Sequence, residues 1–95
     1  MNIAKGKRNI FILIDAETRK GEEDLIERLL KFEEVKEVHV ISGQYDLLVV
    51  AEISLLGKMI FSTVQEISQI LIRKVRTTEG VRDTNTIVPF LTAIK

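Results

Sequence analysis

At 95 residues the chain is long enough for one hydrophobic core and too short for two, because domains cluster at roughly 100–150 residues. Fourteen basic residues balance fourteen acidic ones, so no net field draws it to nucleic acid or to an anionic membrane. Cysteine is absent, which removes disulfides, thiolate nucleophiles and the usual zinc and iron–sulfur sites.

Lys5, Lys7 and Arg8 give the N-terminus the charge of a signal peptide. The apolar run that follows, Ile10 to Ile14, ends at Asp15 and is too short for a signal core. No window approaches the roughly 20 apolar residues that cross a bilayer. The reading is of a soluble, cytoplasmic protein with no membrane partner. Residues 1–7 are expected to form a flexible tail and residues 8–95 a single domain. Three basic charges at that end are too few for nucleic-acid binding, and a solvated terminus is the default.

Arg8 to Ala16, RNIFILIDA, is a short isoleucine-rich run that suits a strand buried on both faces. Glu22, Glu23 and Asp24 then place acids where a helix N-terminus has its positive dipole end. Leu25, Ile26, Leu29 and Leu30 follow at helical spacing, which predicts a helix over Glu22–Phe32. Val35 to Ser42 approaches the period-two alternation of a half-buried strand, and Leu47 to Ile53 reads as another. Between them Gly43-Gln44-Tyr45-Asp46 opens with glycine and predicts a hairpin turn. Leu56, Ile60, Val64, Ile67, Leu71 and Val75 mark the apolar stripe of a longer helix. Arg73, Lys74 and Arg76 sit near its C-terminus, where positive charge is favoured, and Gly80 ends it. Val81 to Ile94 is rich in β-branched residues and reads as the last strand, with Pro89 arguing for an edge or a bulge.

The predicted order is β-α-β-β-α-β, an α+β sandwich of the ferredoxin-like type in which both helices cover one sheet face. The first strand is apolar on both faces, and Ile87, Val88, Phe90 and Leu91 point both ways. The uncovered face therefore calls for a partner, most simply a second copy, as in dimeric α+β barrels.

Raw material for catalysis is scarce. His39 is the sole histidine, sits in a predicted strand and is assigned no chemistry. The carboxylate pairs Glu22-Glu23 and Glu33-Glu34 fall at predicted helix ends, where a solvated face explains them. No nucleophile–base pair and no His-rich metal spacing is visible, so no catalytic residue, metal or cofactor is expected and the chain reads as a non-enzyme.

Two motifs remain. Val40 to Leu48, VISGQYDLL, carries a Gly-x-Tyr-Asp turn after a strand, and Gly80 to Val88, GVRDTNTIV, carries Gly-Val-x-x-Thr-x-Thr at the start of the final strand. Together they resemble the ligand-binding half of the Lrp/AsnC family of amino-acid-responsive transcription regulators, over roughly Arg8 to Thr92. In that family this half is the RAM domain, for regulation of amino-acid metabolism. The resemblance implies an effector-binding module whose relatives dimerise through their sheets and stack dimers into rings. Usual members carry a helix-turn-helix domain ahead of this half, and here only residues 1–7 precede the first predicted strand. A stand-alone module follows, without direct DNA binding, that answers an amino-acid effector and passes its state to a full-length regulator of the family.

Amino acids bind in the family near the junction of neighbouring dimers. Carried over, the resemblance points to Gly43, Gln44, Tyr45 and Asp46 in the turn and to Thr84 and Thr86 in the final strand. A free amino acid presents an ammonium and a carboxylate, so its site needs an acceptor and several donors. Asp46 suits the ammonium, backbone N–H groups around Gly43 suit the carboxylate, and Thr84 or Thr86 adds a hydroxyl. Structural readings stand beside these. Gly43 and Asp46 also serve simply to shape a turn, Tyr45 to pack its ring, and the two threonines, on one strand face, to fill a strand. As a surface turn residue, Asp46 is expected to be replaceable without loss of the fold. Two further classes compete: a small dimeric enzyme of the monooxygenase or isomerase type, and a purely structural oligomerisation partner. The apolar filling of both strand faces leaves little room for a substrate cavity and disfavours the enzyme.

Overall fold

The computed structural model describes residues 7–17, 22–54 and 63–88. They form β1 (Lys7–Ala16), α1 (Glu22–Leu30), β2 (Val35–Val40), β3 (Leu47–Ser54), α2 (Thr63–Arg76) and β4 (Val81–Ile87). The strands make one antiparallel sheet in the order β2-β3-β1-β4. This is the ferredoxin-like α+β architecture that the order of sequence patterns predicts.

Alternation along the two central strands decides which face is covered. Ile10, Ile12 and Ile14 of β1 and Leu47, Val49, Ala51 and Ile53 of β3 share one face and are buried. Leu25 and Leu29 of α1 and Leu71 and Val75 of α2 close over them as one core. Each of these valine, leucine and isoleucine side chains contributes about 1.5–3 kcal/mol when fully buried. The intervening residues point to the other face, where no described helix lies. There the register lines up Glu37, Val50, Phe11 and Ile87 in one row and His39, Leu48, Leu13 and Asn85 in the next. The centre of this open face is apolar and its rim is polar at Glu37, His39 and Asn85 but apolar at Ile87. Ile87 is 49% exposed on it.

Element ends differ from the predicted ones for local reasons. α1 stops at Leu30 because Lys31 and Phe32 bond back three residues, to Arg28 and Leu29, a tightened last turn rather than a further α-helical one. α2 ends at Arg76, ahead of Gly80, because the Thr77 and Thr78 hydroxyls donate to the carbonyls of Arg73 and Lys74, each at 2.8 Å. Gly80 follows with φ +100° and turns the chain into β4. Of the expected tail only Lys7 is described, and it opens β1. The expected stripe residues Leu56 and Ile60, and Pro89 with the rest of the last strand to Ile94, lie outside the described residues.

An ion pair ties α2 to the turn between α1 and β2. Lys74 Nζ on α2 donates to Glu34 Oε2 at 3.0 Å, and lies 6.0 Å from the centre of the Phe32 ring. Burial disfavours the Glu34 charge. The Lys74 hydrogen bond, a backbone hydrogen bond and the charges of Lys74 and Lys36 overcome that and hold its carboxyl below the ordinary value. Among the described residues no helix is long and apolar enough to cross a membrane.

Candidate functional site

The Gly43–Asp46 turn is held at both ends by main-chain bonds. Ile41 N–H donates to the Asp46 carbonyl at 3.0 Å, which closes the hairpin, and Asp46 N–H donates to the Ile14 carbonyl at 2.9 Å, which docks the turn on β1. The Asp46 side chain adds a third tie, accepting from Ala16 N–H at 2.8 Å through Oδ2. Gly43 takes φ +133°, and a Cβ placed there meets nothing within 4 Å. Only the backbone conformation demands glycine, and the space beside it stays open. Gln44 is exposed, while Tyr45 and Asp46 are half-buried.

Thr84 and Thr86 pair with Ile14 and Ile12, so they lie on the helix-covered face of the sheet and are half-buried. The turn reaches β1 from the β3 side and the threonines reach it from the β4 side. Within one copy β1 separates the two groups by two strand spacings, roughly 9–10 Å. The fold thus gathers the predicted residues at one end of the sheet without bringing them into mutual contact.

The same end holds residues that the sequence reading passed over. β4 is irregular there: Asp83 pairs with Asp15 and Val81 with Ala16, leaving Arg82 as the extra residue of a bulge. Its guanidinium donates to the Glu17 carbonyl at 2.8 Å and lies 3.8 Å from Asp15 Oδ2. Glu17 N–H in turn donates to the Gly80 carbonyl at 2.9 Å. Asp83 turns inward to its own strand, accepting from Thr84 N–H at 2.9 Å. The signal in the sequence was Arg82-Asp83, two successive charges that break the alternation of the last strand. His39, assigned no chemistry, makes an exposed contact with Glu37 at 3.1 Å on the rim of the open face. Among the described residues no cluster of His, Cys, Asp and Glu is arranged to hold a metal.

The sequence profile of the Lrp/AsnC ligand binding domain matches residues 9–94. The chain belongs to that family. A helix-turn-helix-type transcriptional regulator of Pyrococcus abyssi is 36% identical over 82 residues, which are 84% of this chain and 49% of the relative. The Lrp/AsnC chain spans about half the length of the curated relatives it matches. Among solved structures, a hypothetical protein of Pyrococcus horikoshii superposes with a TM-score of 0.64 at 28% identity, covering 88% of this chain and 90% of that one. A transcriptional regulator of Neisseria meningitidis in complex with L-Met has the same fold, with a TM-score of 0.68 at 20% identity over 93% of this chain and 52% of that one. The Lrp/AsnC chain is an effector-binding module related to transcription regulators.

Proposed function

We propose that this Lrp/AsnC module binds a free amino acid at the Gly43–Asp46 turn and does so as an oligomer. It pairs through its open sheet face, and the resulting dimers associate into a ring. It acts as a non-catalytic sensor that passes its ligand state to a full-length regulator of the same family. Gln44, Tyr45, Thr84 and Thr86 complete the site across the junction between dimers.

The observation that carries this reading is the hold on Asp46. One carboxylate oxygen accepts from Ala16 N–H, and the other accepts no hydrogen bond among the described residues. A half-buried carboxylate fixed in this way is preorganised to accept from an ammonium group, with little side-chain entropy left to lose. Gly43 leaves the backbone beside it open to a ligand carboxylate. The likeness to the L-Met complex supports an amino acid as the ligand class.

A thermal-shift screen of the common amino acids tests the reading, because a ligand that binds only the native state raises stability by mass action. At least one amino acid should raise the melting temperature, and the corresponding amines and carboxylic acids should raise it less. Silence across the whole screen would leave a purely structural module.

A further inference from the structure

We propose that Arg82, which belongs to neither motif's fixed positions, is a second contact for the ligand's carboxylate beside the Gly43 backbone and sets the preference for a complete amino acid. The proposal rests on the amino-acid reading above and extends it by a residue on a different strand.

Its basis is how the chain aims this side chain. In a regular strand Arg82 would pair with β1 and take its place in the alternation. The bulge leaves it unpaired between Asp83 and Val81, and such bulges recur where a side chain is re-aimed beside a site. The guanidinium settles at the end of β1, on the Glu17 carbonyl. From the other side of the same strand Asp46 settles on the Ala16 amide. An acceptor and a planar, forked donor thus anchor on the main chain of two consecutive residues. That is the pairing of charges a zwitterion requires, an anion for the ammonium and a cation for the carboxylate.

Arg82 is available for this role. Its other neighbour, Asp15, is 3.8 Å away, and their side chains are 59% and 32% exposed, so that ion pair holds the guanidinium weakly. The bond to Glu17 engages one terminal nitrogen and leaves the remaining donors of the fork free to turn toward a ligand. A ligand carboxylate would displace a long, solvated contact and gain a bidentate one.

The test uses the full chain and the amino acid that gives the largest response in the screen, with its decarboxylated amine as a second probe. Arg82→Gln should weaken binding of the amino acid by about ten- to hundred-fold. It should leave binding of the amine unchanged, so that discrimination between the two narrows. Arg82→Lys, which keeps the charge and loses the fork, should fall between. A merely structural role at the end of β1 would lower the melting temperature and affect both probes alike, which overturns the proposal. Wild-type affinity retained in Arg82→Gln, with binding lost in Asp46→Asn, also overturns it while leaving the turn as the site. Absence of any amino-acid binding by the wild type removes both readings together.

Discussion

Asp46 and Ala16, thirty residues apart, meet at 2.8 Å through a carboxylate oxygen and a main-chain amide, so the hairpin turn and the end of β1 form one unit. Asp46 lies in a surface turn and is expected to be replaceable without loss of the fold, but its side chain carries a tie to β1 that replacement removes. Asp46→Ala leaves the Ala16 donor without its acceptor, which should destabilise the fold by about 1–3 kcal/mol. For a domain of this size each 1 kcal/mol lowers the melting temperature by about 4–8 °C. If the same carboxylate receives the ligand's ammonium, the substitution also weakens amino-acid binding by about 2–5 kcal/mol. Asp46→Asn separates the two roles: its amide oxygen still accepts from Ala16, so stability should hold, while the missing charge abolishes binding. Thermal unfolding and calorimetry on both variants decide the matter, and unchanged binding in Asp46→Asn moves the ammonium site elsewhere.

Gly43 offers a cleaner test of backbone against packing. Its φ of +133° lies where only glycine is at ease, yet a Cβ there meets nothing within 4 Å. Gly43→Ala should therefore destabilise by strain alone, about 1–3 kcal/mol. The relaxed turn should also present its amides differently and lose ligand affinity beyond the loss of stability. Denaturant unfolding measures the first effect. A variant as stable as the wild type would show that the turn relaxes without penalty.

Period and composition made most of the fold legible. Strict alternation of Ile10, Ile12 and Ile14 with Phe11 and Leu13 announces a strand with two apolar faces, and α1 and α2 cover just one of them. The turn residues were legible because Gly43 and Asp46 are demanded by backbone geometry. What stayed hidden depends on register. No single strand reveals that Thr84 and Thr86 face the helices beside Ile14 and Ile12, or that a bulge sends Arg82 to Glu17. Those facts arise only when β4 docks on β1. The Glu34–Lys74 pair, forty residues apart, was hidden for the same reason.

That pair gives stability a dependence on pH. Glu34 titrates below its ordinary value of 4.5 in the folded chain, so the folded state binds its proton less readily than the unfolded state does. The contribution is fully present above the unfolded value and is lost as pH falls through the folded one. Lys74 is 43% exposed and Glu34 22%, so screening limits the gain to about 0.5–1 kcal/mol. Lys74→Met should remove this increment at pH 7 and cost less at pH 3, where the carboxyl is more protonated. Chemical denaturation at the two pH values measures it. An equal loss at both would assign the effect to packing on Phe32 rather than to charge.

The open sheet face carries the prediction with the largest consequence. Leu48 and Leu13 sit side by side at its centre, flanked by His39 on β2 and Asn85 on β4. An apolar centre within a largely polar rim is the anatomy of a protein–protein interface, and a self-complementary patch serves both members of a two-fold dimer. Leu48→Lys places a charge at that centre without touching the core, because Leu48 lies on the face opposite Leu47 and Val49. The wild type should run as a dimer or larger ring in gel filtration coupled to light scattering. Leu48→Lys and, independently, Leu13→Lys should shift it toward monomer at micromolar concentration while the circular dichroism spectrum keeps its native form. Two folded variants that remain fully assembled would place the contact on another surface, and a monomeric wild type would leave the open face solvated.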